Sequence, residues 1–217
     1  MKKAIIAGAT GLVGGELLQI ILQNSDYQEV LVITRRDLGI QNPKLVQLIV
    51  NFDELDQHQH TLTADALFCC LGTTQKKTPD RKQYKKIDYE YPLNLAQIAK
   101  RNGIKQYHFI SSVGADMHSS NFYLKTKGET EDALVHLHLQ CLHIYQPSFL
   151  VGNRSESRLG EKIAGAVLKI VDPLLIGGLK KYRSIKAAAV AKAMYNQSMK
   201  QETGLYIHPS DHIKKLA

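Results

Sequence analysis

Short apolar segments alternate with segments of helical periodicity along most of the chain. Apolar runs of strand length lie at 3–8, 29–34, 46–50, 65–71, 105–112 and 141–147. Apolar positions three and four residues apart predict helices at 11–24, 83–102, 122–139, 160–171 and 185–199. Strands that alternate with helices predict a parallel sheet with helices on both faces. We therefore predict an α/β fold with a doubly wound parallel sheet of the Rossmann type.

The alternation fades after Pro147, at the end of the sixth predicted strand. We expect the remaining tail, about 150–217, to form a small cap over the carboxyl edge of the sheet, where open α/β folds bind their ligands. A chain of 217 residues is long enough to bury a sizeable core. The prediction is a single domain over 1–217 that includes this cap.

A glycine-rich turn joins the first predicted strand to the first predicted helix. Gly8 permits a tight exit from the strand, Gly11 lets the backbone approach a phosphate, and Gly14 lets the helix pack on the strand. The N–H groups at the start of a helix favour a bound anion. We predict that the turn binds the phosphates of a dinucleotide through Gly8, Thr10, Gly11, Leu12, Val13 and Gly14.

The end of the second predicted strand indicates which dinucleotide binds. NAD-binding proteins place an acidic residue there, against the 2′-hydroxyl of the ribose. This chain has Arg35 and Arg36 instead, followed by Asp37, which is placed to neutralise one of them in part. Two guanidinium groups suit a 2′-phosphate because the charges are opposite. We predict NADP(H) as the cofactor, with NAD(H) the less favoured alternative.

Two further segments belong to the same carboxyl edge. The fourth strand ends in Cys69 and Cys70, and we expect the residues that follow it to lie beside the nicotinamide ribose: Leu71, Gly72, Thr73 and Thr74. Asn51 and Phe52 follow the third strand and are placed to flank the adenine. Asp53 belongs either to that adenine site or to the N-cap of a helix.

A serine, a tyrosine and a lysine are the candidates for catalysis. Tyr123 and Lys127 are four residues apart and share one face of a helix. A nearby ammonium group can lower the pKa of a tyrosine, which then donates a proton to a carbonyl oxygen as hydride reaches the carbon. Ser112, at the end of the fifth strand, would hold the substrate oxygen, and Ser111 is the alternative. Tyr123 and Lys127 are also expected against the cofactor.

Together these motifs resemble the short-chain dehydrogenase/reductases, and more narrowly their atypical Tat-interactive-protein-2-like branch. The matching segments cover most of the chain, at 8–14, 35–36, 51–56, 69–74, 111–116, 119–124, 127–129 and 154–161. The resemblance implies an NADP(H)-binding Rossmann fold with Ser112, Tyr123 and Lys127 at the catalytic positions. A fourth family position, usually asparagine, corresponds here to Asp88. An acid there could still order a water, but it changes the charge around Lys127.

Three functions fit this pattern. The first is an NADP(H)-dependent oxidoreductase that transfers hydride to or from a small carbonyl or alcohol. The alternative is a non-catalytic NADP(H)-binding protein that acts through protein partners, because the short carboxyl-terminal lobe leaves little room for a substrate pocket and Asp88 departs from the family pattern. The third is an epimerase or dehydratase that keeps its cofactor bound.

Composition bears on partners and location. The net charge of +8 suits a phosphorylated ligand, a nucleic acid or a membrane surface. Because no aromatic residues interleave with the basic ones to stack on bases, we expect no nucleic-acid partner. No run reaches the roughly 20 apolar residues of a membrane span. Three cysteines form no disulfide framework and the first residues lack a signal-peptide pattern, so we predict a cytoplasmic protein.

Two clusters of charged or polar residues have simpler interpretations. Six basic residues at 76–86 are expected beside the ligand cleft, either steering an anion or forming a solvated loop. The histidine pairs at 58/60 and 136/138, with His143, lack the carboxylate or cysteine that would complete a tetrahedral site, so we predict no metal. Cys69, Cys70 and Cys141 are interpreted as small buried hydrophobic residues.

Overall fold

The computed structural model describes residues 2–152, 172 and 175–217. Its strands are β1 (Lys2–Ala7), β2 (Tyr27–Thr34), β3 (Leu45–Ile49), β4 (Ala66–Cys69), β5 (Gln106–Ile110), β6 (Cys141–Gln146), β7 (Leu150–Val151), β8 (Ile185–Lys186) and β9 (Gly204–Pro209). Seven of them form one parallel sheet in the order β3-β2-β1-β4-β5-β6-β9. The prediction of a doubly wound, Rossmann-type parallel sheet is confirmed.

Helices cover both faces of this sheet. They are α1 (Leu12–Gln23), α2 (Arg81–Lys85), α3 (Tyr91–Arg101), α4 (Phe122–His136), α5 (Ala187–Ser198) and α6 (Ser210–Leu216). Apolar residues of α1 and α5 bury one face of the sheet, and those of α3 and α4 bury the other. Two 3₁₀ helices, at Phe52–Thr61 and Gly177–Tyr182, lie between these elements.

The apolar runs of the sequence form strands because both faces of the sheet are covered. In β1, Ala4 and Ile6 belong to the core under α1, whereas Ile5 and Ala7 belong to the core under α3. A strand buried on both faces has no polar side to alternate with, so it appears as an unbroken apolar run. This central strand leads into the glycine-rich turn.

The helix predicted at 83–102 is broken. It consists of α2, a π-helical turn at Lys86–Glu90, and α3, which has Pro92 in its first turn. Proline has no N–H to donate and favours the first turn of a helix, so the regular α-helix begins again at this point. The helix predicted at 160–171 lies outside the described residues.

The carboxyl-terminal part differs from the expected cap. Strands β7 and β8 form a small second sheet after β6. From Ala187 onward, however, the chain returns to the main layers, because α5 packs with α1 and β9 pairs with β6. The predicted cap over 150–217 therefore does not hold for the residues from Ala187 onward. Strand β9 was not predicted, because its Leu205 and Ile207 are about half exposed and obscure any strand pattern. Within the described ranges, none of the helices is long and apolar enough to cross a membrane.

Candidate functional site

The turn after β1 is built from backbone packed against backbone. Gly8 has a φ of +91°, and a Cβ there would lie 2.6 Å from the carbonyl oxygen of Cys70. A Cβ on Gly14 would lie 2.3 Å from the carbonyl oxygen of Gly8. The N–H of Gly11 donates to that same oxygen at 3.0 Å. Positions 8 and 14 therefore have no room for a side chain, as the spacing predicts for a phosphate-binding turn.

The start of α1 leaves its amide groups available. The N-cap residue is Gly11, which has no side chain to cap the helix, and the first turn carries no acidic residue. The first N–H groups of a helix need an outside partner, and they favour an anion. The turn and the helix start together fit the pyrophosphate of a dinucleotide.

Arg35 and Arg36 follow β2 and are exposed. The hydroxyl of Thr34 donates to the carbonyl oxygen of Arg36 at 2.8 Å and fixes the start of this loop. Asp37 does not form the expected partner, because its Oδ1 accepts from the N–H of Gly39 and the side chain of Gln47, both at 2.9 Å. In the described chain, neither guanidinium group has an ion-pair partner. Both arginines are exposed at the end of β2, the strand that pairs with β1 and so lies beside the glycine-rich turn.

A small aromatic and polar cluster follows β3, where the sequence predicts the adenine to bind. Asn51 is the N-cap of the 3₁₀ helix, and its side chain accepts from the N–H of Asp53 at 3.3 Å. Phe52 is buried and stacks on Tyr91, with ring centroids 5.3 Å apart. Asp53 accepts from Lys86 and from the Tyr91 hydroxyl, both at 2.8 Å, so it ties this helix to α3 and is not the N-cap. The hydrogen bond from Lys86 lowers the pKa of Asp53 most strongly.

The Gly-Thr-Thr turn after β4 lies against the candidate catalytic lysine. The N–H of Thr73 donates to Oδ2 of Asp88 at 2.8 Å. A Cβ on Gly72 would lie 3.5 Å from Oδ1 of Asp88 and 3.8 Å from Nζ of Lys127. The hydroxyls of Thr73 and Thr78 share a hydrogen bond of 2.8 Å, while Thr74 is exposed. This turn therefore connects the cofactor edge to Lys127.

Tyr123 and Lys127 lie on the first two turns of α4. The side chain of Asn121 caps this helix by accepting from the N–H groups of Tyr123 and Leu124. Tyr123 is half-buried and Lys127 is buried. Nζ of Lys127 donates to the carbonyl oxygen of Ile110, the last residue of β5, at 3.2 Å, and lies 5.0 Å from the ring centroid of Phe109. The lysine is thereby held at the end of β5.

Both candidate serines follow directly after β5 and are buried. The hydroxyl of Ser112 donates only to the carbonyl oxygen of Val113, at 3.3 Å. The N–H of Ser111 donates to the backbone carbonyl oxygen of Tyr145 at 2.7 Å, and this bond continues the pairing of β5 with β6. The hydroxyl of Ser111 is buried and has no hydrogen-bond partner among the described residues. Both hydroxyls are therefore available to a substrate oxygen, and Ser112 stays the predicted residue with Ser111 as the alternative.

Asp88 lies directly against Lys127. Its Oδ1 is 3.1 Å from Nζ of Lys127, and the two side chains are 0% and 5% exposed. Burial acts to lower the pKa of Lys127, but the charge of Asp88 and neighbouring groups outweigh it and the pKa is raised. The acid at this position therefore places a negative charge directly against Lys127.

Gly128 is a residue that sequence reasoning missed. A Cβ at this position of α4 would lie 2.2 Å from the backbone nitrogen of Met117. The loop after the serines therefore packs on α4 through Gly128, next to Lys127. A glycine inside a predicted helix usually marks a close approach of this kind, and that signal was present in the sequence.

Three of the nine histidines form part of the core. Among the residues that are described, no group of three histidine, cysteine or acidic side chains is arranged to hold a metal ion. His108, His143 and His208 are buried on β5, β6 and β9, with Cys141 beside them.

Of the basic residues at 76–86, Lys85 pairs with Glu129 at 2.9 Å and Lys86 pairs with Asp53.

Comparison with known proteins places the chain in a family. Residues 4–130 match the NAD dependent epimerase/dehydratase family. The chain is 32% identical to the rat protein HTATIP2 over 207 residues, which cover 94% of this chain and 84% of the relative. It is also 32% identical to FMP52, mitochondrial, of Candida albicans over 98% of this chain and 96% of that protein.

Solved structures show the same fold. The enzyme WbmH of Bordetella bronchiseptica in complex with NAD+ superposes with a TM-score of 0.70 at 19% identity, covering 95% of this chain and 75% of that chain. At this identity the likeness concerns the fold alone.

The predicted cytoplasmic location was wrong as an inference from composition. FMP52 of Candida albicans, and FMP52 proteins of further yeasts, are named as mitochondrial proteins. A protein can carry free cysteines and no membrane span and still belong to a mitochondrial group, so those features do not select the cytoplasm.

Motifs, fold and relatives agree on one assignment. The match covers more than half of the chain, and the relatives at 32% identity extend over nearly all of it. The protein belongs to the NAD dependent epimerase/dehydratase family, in the atypical short-chain dehydrogenase/reductase branch that includes Tat-interactive protein 2.

Proposed function

We propose that the protein is an NADP(H)-dependent oxidoreductase that transfers hydride to or from a small carbonyl or alcohol. One observation supports this most strongly: Tyr123 precedes by one helical turn a buried, charged lysine at the carboxyl edge of β5. That is where a dinucleotide bound at the start of α1 would direct its nicotinamide in a sheet of this order.

The preference for NADP(H) over NAD(H) is supported by the loop after β2. Arg35 and Arg36 stand where an NAD-binding protein has an acid, and Asp37 is engaged with Gly39 and Gln47. Exposed guanidinium groups bind a phosphate through paired, charge-assisted hydrogen bonds. Asn51 and Phe52 would flank the adenine, and Leu71, Gly72, Thr73 and Thr74 would lie along the nicotinamide ribose.

The chain's own groups supply the proton and the orientation. When bound, the nicotinamide supplies or accepts the hydride. Tyr123 donates the proton to the carbonyl oxygen during reduction and takes it back from the alcohol during oxidation. Lys127 has three donors, of which one reaches Ile110 and one faces Asp88, so a third remains for a ribose hydroxyl. Ser112 holds the substrate oxygen.

The test is turnover of a panel of small aldehydes and ketones with NADPH, measured for the wild type and for Tyr123→Phe. We expect the wild type to oxidise NADPH with some of them and the variant to lose at least about 100-fold in kcat, because the proton donor is gone. NADPH should bind both proteins with similar Kd. Unchanged turnover in the variant would reject the role of Tyr123.

Two other results would identify a different function. Tight NADPH binding by the wild type with no turnover on any carbonyl or alcohol would favour a non-catalytic protein that acts through protein partners. A dinucleotide that co-purifies with the protein and is not exchanged would favour an epimerase or dehydratase, an activity for which the family is named.

A further inference from the structure

Asp88 is presented to the site by an irregular helix. It lies in the π-helical turn at Lys86–Glu90 and is fully buried. The hydroxyl of Thr130, on α4, donates to the backbone carbonyl of Asp88 at 2.9 Å. A π-turn inserts a residue into the helical repeat, and such turns are frequent at functional sites. Here it fixes Asp88 to the same helix that carries Lys127.

The carboxylate of Asp88 has two distinct partners. Oδ2 accepts the N–H of Thr73 at 2.8 Å, and Oδ1 lies 3.1 Å from Nζ of Lys127. The second contact is an ion pair, because it brings opposite charges within 3.1 Å in a buried place. One carboxylate therefore joins the Gly-Thr-Thr turn, on one side of the cofactor edge, to the lysine on the other.

A buried ammonium group needs a counter-charge. Without one, removal from water favours the neutral amine and lowers the pKa of a lysine, by several units when burial is complete. Apart from Asp88, the titratable groups that interact with Lys127 are Tyr123 and Glu131 on α4 and Cys69 on β4. Burial raises the pKa of Glu131 and of Cys69, so both are weaker sources of negative charge than an ordinary carboxylate.

We propose that Asp88 is the positioning residue of Lys127: its direct ion pair keeps the ammonium charged and fixed beside the cofactor edge, and ties it to the Thr73 turn. The effect on catalysis rests on the proposed function. The effect on the charge of Lys127 does not, since it follows from the buried contact alone.

The direct test measures the charge of Lys127 in the full-length protein. Lysine side chains labelled with ¹³C at Cε are followed by NMR against pH in the wild type and in Asp88→Asn, and Lys127→Met identifies the resonance. We expect Lys127 in the wild type to remain charged up to at least the ordinary lysine range, and in Asp88→Asn to lose its proton at least about one pH unit lower. An unchanged titration would overturn the proposal.

A matched control is available nearby. Asp53→Asn removes a lysine–aspartate pair of similar length, 2.8 Å, but on the surface. It should leave the titration of Lys127 where it is. If Asp53→Asn moved that titration as far as Asp88→Asn does, the effect would not come from the buried pair, and the proposal would fail.

Folding of the variant is tested separately. If Asp88→Asn does not fold, the cause should be the uncompensated lysine, and Asp88→Asn combined with Lys127→Met should restore folding. A double variant as unstable as the single one would show that Asp88 serves only the Thr73 turn, and would overturn the proposal.

Turnover adds a second, separable measurement. In Asp88→Asn the decline of kcat at alkaline pH should begin at a lower pH, together with the titration of Lys127. If the wild type has no turnover, the proposed oxidoreductase function fails while the NMR titration still decides the role of Asp88.

Discussion

Two regions of this protein bury polar and ionisable groups, and they do so in different ways. The cofactor end comprises the Gly8–Gly14 turn, Thr73, Asp88 and Lys127. The histidine edge comprises His108, His143 and His208 on three neighbouring strands. Both belong to the same sheet, but only the first leaves groups without a protein partner.

At the histidine edge the groups satisfy one another. The rings of His108 and His143 stack with centroids 4.6 Å apart and planes within 2°. Nδ1 of His143 lies 3.0 Å from Nε2 of His208, and the other ring nitrogen of His143 lies 3.2 Å from Sγ of Cys141. Burial lowers the pKa of His143 to about 3 and that of His208 to about 4, so the cluster is neutral.

At the cofactor end, by contrast, binding capacity is left over. The first amides of α1 have no side-chain cap, and the Lys127 ammonium has one donor beyond its two protein contacts. The difference shows that residue type does not identify a site. Histidines and a cysteine that suggest metal chemistry form a closed core, whereas glycines and a lysine form the open region.

The largest effect expected is at Gly14. Gly14→Ala places a Cβ 2.3 Å from the Gly8 carbonyl oxygen, so the turn must move. We expect NADPH binding to be lost and the free energy of unfolding to fall by about 1–3 kcal/mol. Gly15→Ala is the control, since its Cβ would lie 3.3 Å from the nearest oxygen. Fluorescence titration with NADPH measures the affinity of each variant, and urea unfolding measures its stability. Wild-type affinity in Gly14→Ala would contradict the role of the turn.

The histidine edge should respond to acid instead. The unfolded chain binds protons at a histidine pKa of 6.5, while His143 and His208 stay neutral to about pH 3 and 4. The contribution of these two histidines to the free energy of unfolding is therefore fully present above pH 6.5, and it is lost as the pH falls below that value. We expect His143 and His208 each to remove about 2–3 kcal/mol from the free energy of unfolding by about pH 4.5. Urea unfolding at a series of pH values measures this.

A variant pair isolates that effect from general acid unfolding. Burial lowers the pKa of all three histidines of this edge. His208→Asn should therefore flatten the pH dependence by about a third of the histidine contribution, whereas His118→Asn, at an exposed site, should leave it unchanged. If His208→Asn retained the full wild-type slope, the neutral, closed cluster would be the wrong description of this edge.

A smaller effect distinguishes the two serines of the cofactor end. Removing a donor that holds the developing charge on the substrate oxygen costs about 100-fold in kcat. We expect Ser112→Ala to show this loss and Ser111→Ala to change kcat by no more than a few-fold. The measurement is steady-state turnover with NADPH and the best carbonyl of the panel. The reverse pattern would transfer the role to Ser111.

The sequence predicted the cofactor end better than the histidine edge for a physical reason. A turn that binds phosphate must exclude side chains, so the spacing of Gly8, Gly11 and Gly14 records the geometry directly. The alternation of buried strands with helices was equally plain in β1 and β2. Local pattern and final fold coincide in these segments.

Other features depend on contacts between distant segments and left no local signal. Strand β9 forms because its Tyr206 and His208 meet β6, more than 60 residues earlier, while its outer residues stay exposed. The contact of Asp88 with Lys127 depends on the π-turn, which no periodicity predicts. Composition likewise did not select a location, because the FMP52 relatives are named as mitochondrial proteins.

The most direct measurement of the central claim compares the two nicotinamide dinucleotides. Thermal unfolding is followed with NADPH, with NADH, and for a variant that replaces Arg35 and Arg36 by alanine. At about one hundred times its Kd, NADPH should add about 2.7 kcal/mol to the free energy of unfolding, and at the same concentration NADH should add less. The variant should lose the difference. Equal stabilisation by NADH, or none by either, would contradict an NADP(H) site built on these guanidinium groups.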